Sequence, residues 1–99
     1  MDYNDTPVAK VFTKRNCPAC EATKKLFAKL GAEIEIEDLE RDPAALQFVK
    51  AQGFVQAPVV GTKLTGMEWS GYKPDMIREA VRKHREAADT YFNQPDPSE

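Results

Sequence analysis

Cys17-Pro18-Ala19-Cys20 holds both cysteines of a 99-residue chain. Two thiols three positions apart at a helix start lie within reach of one another without unwinding the helix, so the pair suits thiol–disulfide exchange. Only a thiolate attacks a disulfide, and a free cysteine is about 3% ionised at neutral pH. A helix N-terminus aims unpaired N–H groups and the positive dipole end at the first sulfur. That effect is worth about 0.3–2 kcal/mol, at most about 1.5 pKa units, enough to carry the ionised fraction towards half. Lys14 and Arg15 precede the motif and add positive charge if their side chains turn that way. Pro18, at the first helical position, has no N–H to leave unpaired and presets φ. Cys17 is therefore expected to attack and Cys20, one turn on and screened by the helix, to resolve. A zinc site needs four ligands, and the one histidine, His84, lies far along the chain, so no metal site is expected.

The elements that must position this pair follow from periodicity. Val8 to Thr13 carries apolar groups on both faces, as a covered parallel strand does. The small or apolar residues 19, 20, 23, 26, 27 and 30 form a helix stripe stopped by Gly31. Glu33 to Asp38 alternates as a second strand, with Ile34, Ile36 and Leu39 on one side. Asp42-Pro43 is an N-cap and first-turn proline. The helix it opens carries Leu46, Phe48 and Val49 inward and ends near Gly53. Val59-Val60 starts a third strand after Pro58, Gly61 to Gly66 is a turn region, and Met67 to Ser70 returns as a hairpin strand with Met67 and Trp69 on one face. A last helix starts near Pro74-Asp75, its stripe running Ile77, Ala80, Val81, His84, Ala88 and Tyr91. The order is βαβα-ββα: an α/β fold, a four-stranded mixed sheet flanked by three helices, with parallel neighbours from the right-handed crossover.

Composition sets the surroundings. At 41% hydrophobic and 30% charged, the chain is an ordinary globular domain. The domain is expected to be single, with a core at about residues 8–88 and flexible ends at 1–7 and 93–99. A net charge of −2 gives no general pull on nucleic acid or anionic lipid. No apolar run approaches the ~20 residues of a membrane span. An acidic N-terminus without a signal core places the expected site of action in a reducing cytoplasm, where a lone cysteine pair is catalytic or metal-binding rather than a staple.

Three segments together resemble the thioredoxin superfamily, and more closely the NrdH-redoxins, glutaredoxin-like proteins that pass electrons from thioredoxin reductase to ribonucleotide reductase. They are Thr13-Lys14-Arg15-Asn16-Cys17-Pro18-Ala19-Cys20 with Ala22-Thr23-Lys24; Gln52-Gly53-Phe54 with Gln56-Ala57-Pro58-Val59-Val60; and Trp69-Ser70-Gly71-Tyr72-Lys73-Pro74-Asp75, similar to the family's W-S-G-F-x-P-D. The resemblance implies a thioredoxin fold, Cys17 nucleophilic and Cys20 resolving, with Lys14 and Pro18 in support. It implies a cis Pro58, where the base rate of about 5–6% favours trans. It implies that the backbone of Ala57 is open to a substrate strand, and that Trp69, Ser70, Gly71, Tyr72, Lys73, Pro74 and Asp75 pack near the same end. There Trp69 also reads as core, Gly71 as a turn and Pro74-Asp75 as a helix start, with partner contact in addition. The implied protein is a monomer without a bound cofactor, drawing on NADPH through a reductase. Two alternatives stay open. C-P-x-C also fits a glutathione-dependent glutaredoxin, although the glutaredoxin G-G-x-D-D stretch is replaced here by residues 70–75. The same thiolates also suit a metal or iron–sulfur module.

Overall fold

A computed structural model of the protein describes residues 6–54 and 56–93. The leader expected at 1–7 and the tail expected at 93–99 fall mostly outside the described residues, as does the side chain of Tyr91.

The chain runs β1 (Ala9–Thr13), α1 (Pro18–Lys29), β2 (Ile34–Asp38), α2 (Pro43–Ala51), β3 (Val59–Thr62), β4 (Glu68–Ser70) and α3 (Pro74–Asn93). The sheet order is β2-β1-β3-β4. β1 pairs with β2 in parallel, Val11 opposite Ile36, and with β3 antiparallel, Phe12 opposite Val59. β4 closes an antiparallel hairpin on β3, Trp69 opposite Val60. β1 thus lies inside the sheet, which explains why its apolar residues face both ways.

Each face of β1 has its own core. Val8, Ala9 and Val11 pack with Leu26 and Phe27 of α1, Ile77, Ala80 and Val81 of α3, and Val60 and Trp69. Phe12 and Val59 pack on the opposite face with Leu39 and with Ala45 and Val49 of α2. α1 buries the stripe expected of it: Cys20, Thr23, Leu26 and Phe27. It stops at Gly31, whose φ of +70° allows the paired bonds Gly31 N–H to Ala28 O and Ala32 N–H to Phe27 O, each 3.0 Å. Asp42 caps α2 by accepting from Ala44 and Ala45 N–H at 3.0 and 3.2 Å.

Five expectations change. Phe48 points outward, 53% exposed, its ring 6.1 Å from that of Phe12; Ala45 takes its place on the inner stripe, one turn before Val49, which is inward as expected. Ile34 and Leu39 sit on opposite sides of the sheet, since an odd separation reverses the pleat. Ile36 is 48% exposed because β2 is an edge strand. Gly61 belongs to β3 rather than to the turn, and α3 continues through Asn93.

His84 lies on the buried face of α3, as its stripe position leads one to expect. Its Nδ1 has no hydrogen-bond partner among the described residues, and it lines a cavity of about 200 Å³ with Val8, Gly31, Glu33 and Arg85. Burial, reinforced by the Arg85 cation, holds the imidazole below its usual pKa. Acid therefore protonates the unfolded chain first. The neutral folded imidazole contributes fully above the unfolded value of about 6.5, and its contribution fades as pH falls through that value. Urea unfolding at about pH 7.5 and pH 5 is expected to show a larger stability loss for the wild type than for His84→Gln. Equal losses would show that His84 titrates alike in both states.

Candidate active site

Four pieces of chain meet at the C-terminal end of β1. The first is the loop Lys14-Arg15-Asn16, which turns out of the strand through a left-handed residue, Asn16 at φ 50°. Asparagine tolerates that region better than most side chains do. The turn delivers Cys17 as N-cap of α1 in extended conformation, φ −122° and ψ 92°. Its Sγ accepts a hydrogen bond from the Cys20 N–H at 3.1 Å, and its carbonyl accepts from Glu21 N–H at 3.1 Å. A sulfur in this position receives an orphan helical N–H directly, which stabilises negative charge there more than an undirected dipole does. Pro18 occupies N1 as the sequence predicts.

Cys17 and Cys20 are joined in a disulfide, their Cα atoms 5.2 Å apart, within the range that such a bond spans. The two sulfurs are unequally reachable: Cys17 is 8% exposed and Cys20 only 1%. Thr23, fully buried one turn beyond Cys20, donates its hydroxyl to Ala19 O at 2.7 Å, satisfying a polar group that has no access to water. Among the described residues, no three of His, Cys, Asp and Glu gather as metal ligands.

The second piece is Ala57-Pro58, joined by a cis peptide bond, as the resemblance implied and the base rate did not. Val59, the residue after Pro58, pairs with Phe12, so β3 enters the sheet beside the end of β1 that feeds Cys17. The third piece is the segment after β4. Gly71, buried at φ +83°, donates its N–H to Pro58 O at 2.8 Å. A Cβ at 71 would meet the Gln56 side chain at 3.5 Å, so this glycine provides both the backbone angle and the room for Gln56.

Of the partner-contact candidates, Trp69 proves to be a core side chain, 3% exposed. Tyr72, Lys73 and Asp75 are exposed, whereas Ser70 and Pro74 are half-buried. Lys14 forms no ion pair among the described residues. It lines a groove of about 310 Å³ with Leu46, Lys50, Phe54, Gln56 and Ala57. This groove, apolar with two ammonium groups and the half-buried Ala57 at its edge, escaped sequence reading because its walls come from four separate segments.

The fourth piece is the turn between β2 and α2. Glu40 faces the loop before Cys17 and accepts from the Arg15 N–H at 2.9 Å. The Arg15 side chain, proposed from sequence to favour the thiolate, is engaged by the same carboxylate. Glu40 carried no sequence signal, standing 25 residues from its partner.

Residues 9–63 match the glutaredoxin family profile. The glutaredoxin-like protein NrdH of Escherichia coli K12 is 40% identical over 68 residues, which are 68% of this chain and 80% of that one. The solved NrdH-redoxin from Escherichia coli, described as having a thioredoxin-like activity profile, superposes with a TM-score of 0.69 at 37% identity, covering 72% of this chain and 91% of its own. A buckwheat glutaredoxin in complex with glutathione superposes at 0.54 and 28% identity, over 87% of this chain and 74% of that one. These likenesses and the topology above are those of a thioredoxin fold.

Proposed function

The chain belongs to the glutaredoxin family and is a thiol–disulfide oxidoreductase, and from that premise we propose that it is a dithiol electron carrier, re-reduced by thioredoxin reductase and oxidised by ribonucleotide reductase. The observation that carries the reading is the unequal disulfide at the head of α1, a reachable Cys17 over a sealed Cys20, in a chain whose relatives are NrdH proteins.

In this mechanism the reduced Cys17 thiolate attacks one sulfur of a target disulfide. A mixed disulfide forms and the target's first thiolate leaves, taking up a proton. The Cys20 thiol then loses its proton and its sulfur attacks the Cys17 sulfur, breaking the bond between Cys17 and the target. The second target thiolate leaves and the Cys17–Cys20 bond closes. Two electrons and two protons have passed to the target. A reductase returns them from NADPH, so the protein itself holds no cofactor. Ala57 offers backbone groups to an extended target segment, and Tyr72, Lys73 and Asp75 border the same end. The working form is a cytoplasmic monomer.

A coupled assay tests the electron source. NADPH should be consumed rapidly with thioredoxin reductase and a protein disulfide, and only slowly with glutathione and glutathione reductase. The thioredoxin-like activity profile attributed to the Escherichia coli NrdH-redoxin supports that order. The reverse order would establish the second reading, a glutathione-dependent glutaredoxin. That reading is favoured by the two lysines, Lys14 and Lys50, lining the groove at Ala57, where a tripeptide's carboxylates find opposite charge.

A further inference from the structure

The loop that delivers Cys17 is held by a side chain from outside the cysteine segment. Glu40 Oε1 accepts from the backbone N–H of Arg15 at 2.9 Å, and its Oε2 lies 3.2 Å from the Arg15 Nε. Glu40 is itself fixed: its N–H donates to Asp38 Oδ1 at 2.8 Å, and the neighbouring Leu39 N–H donates to Thr13 O at 2.9 Å. One carboxylate thus fastens the backbone two residues before the attacking sulfur and pairs with the cation on the same residue.

We propose that Glu40 is a positioning residue for the thiol–disulfide reaction: its carboxylate anchors the Arg15 backbone in the loop leading to Cys17 and cancels the Arg15 charge that would otherwise favour the Cys17 thiolate. The inference rests on the reading of Cys17 as the attacking thiol.

The surrounding charges leave this pair as the adjustable one. Glu21, in the first turn of α1, is taken by Lys24 at 2.8 Å. Arg41, beside Glu40 on the turn, pairs with Asp38 at 3.6 Å. Lys14 contributes to the groove at Ala57, and Lys73 and Asp75 stand exposed on the segment that follows β4. Arg15 is bound to a carboxylate, so the helix terminus and the Cys20 N–H remain as the main source of thiolate stabilisation. The Arg15 and Glu40 side chains are 77% and 42% exposed, which makes their field weak and sensitive to salt.

The test uses the Cys20→Ser protein, whose one thiol reports Cys17, alkylated by iodoacetamide across a pH series. In this background Glu40→Gln keeps an acceptor for the Arg15 N–H but frees the cation. Its alkylation at about pH 6 and about 10 mM salt should be faster, on the order of twofold, the effect of one unit charge acting through solvent. Arg15→Gln leaves the carboxylate alone and should slow alkylation by a similar factor, and the double variant should return to the parent rate. Both single shifts should collapse at about 0.5 M salt. In the two-cysteine protein, Glu40→Gln should make the disulfide more oxidising, because the reduced form gains stability. Single variants that leave the low-salt rates unchanged, or move them in the same direction, would overturn the proposal. A parent thiol ionising like free cysteine would sink the nucleophile assignment and this inference together. A parent with a depressed pKa and inert variants would sink the inference alone.

Discussion

Replacing Cys17 by serine should abolish disulfide reduction, while replacing Cys20 should leave the first attack intact and cause mixed disulfides with target proteins to accumulate. The asymmetry follows from position. Cys17 receives the Cys20 N–H at 3.1 Å at the head of α1 and is the sulfur with some access to solvent. Cys20 lies a turn inside, 1% exposed, where an incoming disulfide cannot reach it. A hydroxyl at position 17 is no nucleophile at neutral pH, so turnover in the coupled assay should fall to background. With serine at position 20 the mixed disulfide has no internal thiol to resolve it, and partners should remain attached on a non-reducing gel until dithiothreitol is added. Trapping by the Cys17→Ser protein through Cys20 would show that the two roles are reversed.

Phe27→Ala should be among the most damaging single changes to stability. Phe27 is fully buried on α1 and packs in the core shared by α1, α3 and the sheet. Truncating a buried phenylalanine costs about 3–5 kcal/mol, the lost transfer energy plus the cavity left behind. Whole domains have about 5–15 kcal/mol in hand, and small ones sit at the lower end. At about 4–8 °C per kcal/mol for a domain of this size, the thermal midpoint should fall by on the order of 15–30 °C. Phe27→Leu, which leaves a smaller void, should lose much less. The change also loosens the helix whose first turn carries both cysteines, so activity near the wild-type midpoint should vanish with the fold. A loss below about 1.5 kcal/mol for Phe27→Ala would mean that the α1–α3 core does not hold α1 as described.

Local signals decided much of this protein. Cys17-Pro18 at a helix head, Gly31 after the α1 stripe and Asp42-Pro43 before α2 are short-range devices whose cause and effect lie within a few residues, so they are legible in the chain. The strand–helix order also fixed the parallel pairing of β1 with β2 through the handedness of the crossover. What the chain could not display was everything that depends on which distant segments meet. The exposure of Phe48 and of Ile36 on an edge strand, and the groove at Ala57, are of that kind. So are the bond from Gly71 to Pro58 and the grip of Glu40 on the loop before Cys17. Each joins residues that only packing brings together, and periodicity along one segment carries no information about its neighbour across space.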